Sequence, residues 1–139
     1  MNQRAVSTAV FYETYHGHEL AYLSSVHTHL TQVCHKNRIV WLCGDSSLDS
    51  KFWFTDGMPA AGGYETLLSP PVAKQDLAAH LNALLHSSSV SCINTAVEES
   101  TLGERASGLL PHDQFIADHM GANDIVVVSV GCERQLSFE

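Results

Sequence analysis

Apolar residues recur with helical spacing in two stretches of the chain, and a third stretch begins near Pro111 and stops at Gly121, as a helix would. In the first stretch they stand three or four positions apart, as on one face of an α-helix. That stripe consists of Leu23, Val26, Leu30 and Val33. In the second stretch a row of leucines follows Ser69 and Pro70, a serine that can cap a helix and a proline that fits its first turn. The three patterns predict helices over residues 19–36, 70–86 and 111–120.

Three short apolar runs without helical spacing separate these helices and follow the last one. They cover residues 38–43, 90–94 and 125–130. Each is rich in β-branched residues and fits a strand buried on both faces. The resulting order, α-β-α-β-α-β, requires parallel strands joined by right-handed crossovers. The sequence therefore predicts an α/β fold, a three-layer α/β/α sandwich with a parallel sheet.

A long segment rich in glycine and proline, residues 45–71, follows the first predicted strand. So many residues that break helices and strands predict a loop without regular structure. Long loops in compact domains are usually functional. Parallel sheets bind ligands at the carboxyl ends of their strands, and this loop begins at one such end.

Length, composition and charge narrow the classes of function. The 139 residues are 45% hydrophobic and carry a formal net charge of −8, so we expect one globular domain over residues 1–139. The acidic balance makes nucleic acid and anionic membranes poor partners. We expect no secretory leader, and no apolar run reaches membrane-spanning length. The four dispersed cysteines favour reduced thiols and a cytoplasmic location.

The first predicted strand ends in Gly44-Asp45-Ser46-Ser47. A glycine after a strand lets the backbone turn sharply. A serine two residues later can present its hydroxyl and its backbone N–H to the same point, which suits a nucleophile. Asp45 is expected to be structural and to bind loop N–H groups.

The stretch Gly44-Asp45-Ser46-Ser47-Leu48 resembles block I of the SGNH (GDSL-type) hydrolases. The second strand ends in Asn94-Thr95-Ala96 and the third in Gly131, where the family's second and third blocks lie. The resemblance implies ester hydrolysis through an acyl-enzyme, with Ser46 as nucleophile, a small-molecule ester as substrate and no cofactor. It also implies an oxyanion hole built from the backbone N–H groups of Ser46 and Ala96 and an asparagine of the third block.

The resemblance weakens towards the end of the chain. Gly131 is followed by Cys132 and Glu133 where the family pattern has Gly-x-Asn-Asp, and the D-x-x-H block with the catalytic histidine and aspartate is absent. Residues 121–124 spell Gly-Ala-Asn-Asp, but they precede the third strand and should lie at the opposite edge of the sheet from Ser46.

We interpret the chain as the front part of an SGNH hydrolase domain, incomplete after the third strand and inactive. The alternative is a non-catalytic remnant or interaction module with the same fold. In either case we expect the third strand to be an uncovered apolar edge that promotes self-association.

Other interpretations of the same residues stay open. Ser46 can simply cap a turn. Trp53, Phe54 and Tyr64 either line a substrate pocket or cover the core. The pairs at residues 16 and 18 and at residues 27 and 29 suggest a histidine metal site, but their spacing does not place two imidazoles on one helix face, so we expect no metal. A nucleotide site is disfavoured because no glycine-rich phosphate motif follows a strand.

Overall fold

The computed structural model describes residues 4–131. In chain order its strands are β1 (Val6–Ser7), β2 (Arg38–Gly44), β3 (Gly57–Pro59), β4 (Leu68–Ser69), β5 (Val72–Lys74), β6 (Val90–Asn94) and β7 (Ile125–Ser129). Its α-helices are α1 (Thr8–Phe11), α2 (Leu20–Thr28), α3 (Leu77–Leu84) and α4 (Pro111–His119).

The central sheet contains three parallel strands in the order β6-β2-β7. These are the three strands predicted from the apolar runs, with bounds that agree within one residue. Leu42 of β2 lies opposite Asn94 of β6 and Val127 of β7. The parallel α/β architecture predicted from the sequence is therefore confirmed.

Helices pack against both faces of this sheet, because successive side chains of β2 point to opposite sides. Ile39 and Trp41 belong to a cluster with residues of α2 and α4. Leu42 belongs to a second cluster that includes Ala78 of α3. Both faces of the central strand are thus buried, as expected for a continuous apolar run.

The first predicted helix is present but changes its winding. The α-helical part ends at Thr28 and continues as one π-helical turn, His29–Val33, in which the Cys34 N–H donates to the His29 carbonyl at 2.9 Å. Leu30 in this turn remains fully buried in the core.

The predicted start of the second helix is wrong. The residues after Pro70 form strand β5, which pairs antiparallel with β3, and the helix begins only at Leu77. Asp76 caps it, because its carboxylate accepts the Ala79 N–H at 2.9 Å. Ser69 and Pro70 resemble the start of a helix, but the residues that follow them, 72–74, pair with β3 of the loop instead.

The long loop is also more regular than predicted. Within residues 45–71 lie β3, β4 and two short 3₁₀ turns, Lys51–Trp53 and Tyr64–Thr66. Strand β4 pairs with β1 near the amino terminus, with Val6 opposite Leu68. Within residues 4–131, no helix is long and apolar enough to cross a membrane.

Candidate functional site

The turn after β2 is built on Gly44. Its φ of 153° is a conformation that side-chain-bearing residues rarely adopt. Its carbonyl oxygen accepts hydrogen bonds from the Val97 N–H at 2.9 Å and the Ser100 hydroxyl at 3.0 Å. The loop that follows β6 is thereby attached to the exit of β2.

Asp45 organises the residues around this turn. One carboxylate oxygen accepts the Ser47 N–H at 3.0 Å and the Ser47 hydroxyl at 2.8 Å, and the other accepts the Gly131 N–H at 2.8 Å. Burial alone would raise the pKa of Asp45, but these hydrogen bonds outweigh it and lower the pKa below its ordinary value. The structural role predicted for Asp45 is confirmed.

Ser46 and Ser47 are both exposed in this turn, but only Ser47 uses its hydroxyl to hold it. The turn is closed by the Leu48 and Asp49 N–H groups, which donate to the Asp45 carbonyl at 3.0 and 2.9 Å. Neither the hydroxyl nor the backbone N–H of Ser46 makes a hydrogen bond within residues 4–131. The capping role that serines often fill here belongs to its neighbour, since the Ser47 hydroxyl contacts both Asp45 and Ser129.

The other two predicted site residues also lie at the carboxyl ends of the strands. Gly131 is next to the turn, where its N–H binds Asp45. Ala96 is buried, and its N–H donates to the Asn94 side-chain oxygen at 3.0 Å. The Asn94 amide in turn donates to the Leu48 carbonyl at 2.9 Å, so the loops after β2 and β6 are held together.

Histidines near this end of the sheet are engaged elsewhere. His112 binds the His18 carbonyl at 2.6 Å, and His16 binds the Glu98 carbonyl at 2.9 Å. His18 is buried and donates to the Phe11 carbonyl at 2.8 Å, and burial lowers its pKa to about 3. Within the described part of the chain, no imidazole is hydrogen-bonded to Ser46.

A buried ion pair, which sequence reasoning missed, supports these loops. Lys51 is fully buried and its ammonium lies 2.8 Å from one oxygen of Asp49. The other oxygen of Asp49 accepts the Gly17 N–H at 2.7 Å and the Glu98 N–H at 2.6 Å. One carboxylate therefore joins the amino-terminal segment to both loops of the candidate site. A lysine in a polar loop carries no sequence signal of burial.

The aromatic residues of the loop differ in burial, and only Tyr64 has the predicted core role. Tyr64 is buried and its hydroxyl donates to the Cys92 carbonyl at 2.7 Å. Trp53 and Phe54 are exposed, at 65% and 37%. Trp53 contacts Phe52 edge to face, with ring centroids 5.0 Å apart, and Tyr15 packs edge to face on both. Trp53 and Phe54 are thus exposed to solvent, whereas Tyr64 belongs to the core.

The histidines considered as metal ligands each contact a different part of the protein. His27 stacks on Trp41, whereas His29 binds the Thr66 hydroxyl at 2.7 Å. Among residues 4–131 no group of three potential ligands is placed to hold a metal ion.

Asp124 of the Gly-Ala-Asn-Asp stretch lies at the amino-terminal end of β2. Its carboxylate accepts the Ile39 N–H, the Trp41 indole N–H and the Gly121 N–H, each at 2.9 Å. This stretch is therefore at the opposite end of the sheet from Ser46, as predicted. Cys132 and Glu133 lie outside the described residues.

No protein-family model, curated protein or solved structure matches this chain.

Proposed function

We propose that this chain carries the nucleophile of an SGNH-type serine ester hydrolase, and that the nucleophile is Ser46. The observation that supports this most is the position of Ser46 at the carboxyl end of the central strand, exposed and with an unengaged hydroxyl and N–H within residues 4–131. The order of the parallel strands and the helices on both faces are compatible with the three-layer sandwich that the proposal includes.

The chemistry proposed for Ser46 is acyl transfer from a small-molecule ester. The Ser46 Oγ attacks the ester carbonyl carbon, the alcohol leaves with a proton, and water hydrolyses the acyl-serine. The Ser46 N–H is the first candidate donor for the developing oxyanion. Ala96 can serve as a second donor only by releasing Asn94, which accepts its N–H in this structure.

Serine hydrolysis also requires a base beside the hydroxyl. Loss of the catalytic histidine costs roughly 10⁶ in turnover in the best-studied case. Because no imidazole contacts Ser46 within residues 4–131, we propose that the 139-residue chain by itself is inactive towards esters. The free thiols of Cys34, Cys43 and Cys92 are compatible with a cytoplasmic location of the protein.

The test compares hydrolysis of p-nitrophenyl acetate and butyrate by the native protein, Ser46→Ala and Ser47→Ala. The Ser47 variant is the matched control, because it removes the neighbouring hydroxyl that only holds the turn. We expect the same slow rate from all three proteins. A rate that Ser46→Ala abolishes and Ser47→Ala retains would show that a base reaches Ser46, and the inactive assignment would then be wrong.

A second candidate function is a non-catalytic interaction module. The observation in its favour is the exposed apolar edge of the sheet at β7, where Ile125, Val127 and Val128 are 46%, 39% and 62% exposed. Exposed apolar edge strands pair readily with other chains. The two candidates differ in that only the first requires a reactive Ser46.

A further inference from the structure

A small cavity lies between the amino-terminal segment and helix α3. Its volume is about 20 Å³, which is enough for one water molecule and too little for a larger ligand. The polar side chains that line it are Tyr12, His18, Tyr64, Asp76, Asn82 and Asn94. A buried water needs polar partners, so the hydrogen bonds of these side chains decide what the cavity can hold.

Three of these side chains already have partners. The Tyr64 hydroxyl donates to the Cys92 carbonyl at 2.7 Å. The Asn82 side chain donates to the same carbonyl at 3.1 Å and accepts the Cys92 N–H at 2.8 Å. Both polar atoms of Asn94 bind backbone groups of the loops after β2 and β6. These three side chains therefore satisfy their hydrogen bonds within the protein.

His18 and Asp76 each keep one acceptor atom without a partner. Both residues are buried, at 4% and 2% exposure. His18 Nδ1 binds the Phe11 carbonyl, which can only accept, so the hydrogen of the neutral imidazole is on Nδ1 and Nε2 is an acceptor. The Asp76 carboxylate accepts the Ala79 N–H through Oδ1. Within residues 4–131, neither His18 Nε2 nor Asp76 Oδ2 has a hydrogen-bond partner.

A water molecule can reach both of these acceptors. In the described part of the chain, the buried side-chain atoms that lack both a partner and accessible surface are His29 Nδ1 and Glu98 Oε1. His18 Nε2 and Asp76 Oδ2 are not among them, so both retain accessible surface. Because both side chains line the cavity and are otherwise buried, that surface faces the cavity. The Tyr12 hydroxyl has a single hydrogen and cannot satisfy both acceptors.

We propose that one water molecule resides in this cavity and donates its two hydrogens to His18 Nε2 and Asp76 Oδ2. Two acceptors that face one small site require a ligand with two donors, and a water molecule has that size and offers two hydrogens. Buried acceptors without a donor are costly, so the folded protein retains this water. The water connects the segment before α2 to the residue that caps α3. The proposal does not depend on the reactivity of Ser46.

The experiment detects this water by NMR in the 139-residue protein with labelled alanine methyl groups, above pH 7, where the Asp76 carboxylate is ionised. Cross-relaxation between water and the methyls of Ala78 and Ala79, which line the cavity, is recorded in the laboratory frame and in the rotating frame. We expect peaks of opposite sign in the two frames, which indicate a water that tumbles with the protein. Ala83 is the control, because it is exposed on the same helix and should show only the weak signal of surface water.

Two variants and one salt identify the ligand. His18→Phe keeps a ring beside Phe11 but removes the acceptor, so the water peaks at Ala78 and Ala79 should be lost. Tyr12→Phe removes a hydroxyl whose exchanging hydrogen can imitate a bound water, and it should retain the peaks. Ammonium is the competing donor of similar size, so ammonium chloride should act on the peaks no more than sodium chloride does.

The native spectrum alone can overturn the proposal, which keeps the test decisive if His18→Phe does not fold. Absence of opposite-sign peaks at Ala78 and Ala79 would mean that no water is held in the cavity. Peaks that persist in folded His18→Phe, that disappear in Tyr12→Phe, or that ammonium displaces and sodium does not would each contradict a water bound between His18 and Asp76.

Discussion

Gly44 and Ser129 approach so closely that a Cβ atom on Gly44 would lie 1.9 Å from the Ser129 carbonyl oxygen. The contact joins the last residues of β2 and β7 at the point where the Ser46 turn begins. Since the clashing atom is backbone, relief would require the two strands to separate. The turn therefore requires glycine at position 44.

We predict that Gly44→Ala destabilises the fold by roughly 2–5 kcal/mol, through the contact with Ser129 and the strained φ. Gly108→Ala is the matched control, because Gly108 has nearly the same φ, 152°, and a Cβ atom added to it would meet no other atom within 4 Å. Urea unfolding of both variants measures the difference. Equal losses in the two variants would mean that the strand contact contributes nothing.

The buried Asp49–Lys51 pair leads to a second prediction. Asp49→Asn removes the salt-bridge partner of the fully buried Lys51 ammonium, which should cost about 3–5 kcal/mol. The exposed Asp56→Asn variant controls for loss of one negative charge and should change stability by less than about 0.5 kcal/mol. Chemical denaturation at neutral pH compares the two. A mild effect of Asp49→Asn would show that the pair does not hold the loops.

Asp76 gives a prediction about pH. Burial, the main cause, raises its pKa from 3.8 to about 6. The folded state therefore holds the proton more tightly than the unfolded state, so this group favours folding at low pH and loses that contribution as the pH rises to about 6. Asp76→Asn retains an oxygen that can accept the Ala79 N–H. Relative to the native protein, the variant should gain up to about 3 kcal/mol between pH 4 and pH 7.

Comparing the variant with the native protein separates the effect of Asp76 from that of His18. The lowered pKa of His18 has the opposite effect, because it makes the folded state less stable as the pH falls. The measurement is the free energy of unfolding of both proteins at several pH values. A constant difference from pH 4 to pH 7 would contradict the prediction.

The strands and two of the three helices were predictable because the spacing of apolar residues indicates which side chains face the core. Asp49, Lys51 and the Glu98 oxygen were not, because their burial depends on loops that fold over the sheet. The Ser69-Pro70 cap signal failed because pairing of β5 with β3 decided the local structure. Of the candidate site, the sequence predicted the positions at the strand ends but not that the Ala96 N–H is taken by Asn94.

Strand β7 leads to a prediction of self-association. It is paired only with β2 among the described residues, and Val128 on it is 62% exposed. We expect the protein to form concentration-dependent oligomers, and Val128→Lys to weaken them by about tenfold or more, because an edge lysine opposes strand pairing. Leu84→Lys, at an exposed apolar position on a helix, should leave association unchanged. Analytical ultracentrifugation measures the degree of association as a function of protein concentration. A protein that stays monomeric at all concentrations would contradict the prediction.

The most direct test of the nucleophile assignment is labelling of the protein by a fluorophosphonate, with imidazole added as an external base. Site occupancy is measured by mass spectrometry of the peptide that contains both Ser46 and Ser47. Because the Ser46 hydroxyl is exposed and unengaged within residues 4–131, we predict imidazole-dependent phosphonylation of Ser46 in the native protein and in Ser47→Ala, and none in Ser46→Ala or in urea-unfolded protein. Labelling that is equal in folded and unfolded protein, or that survives Ser46→Ala, would contradict the assignment of Ser46 as the nucleophile.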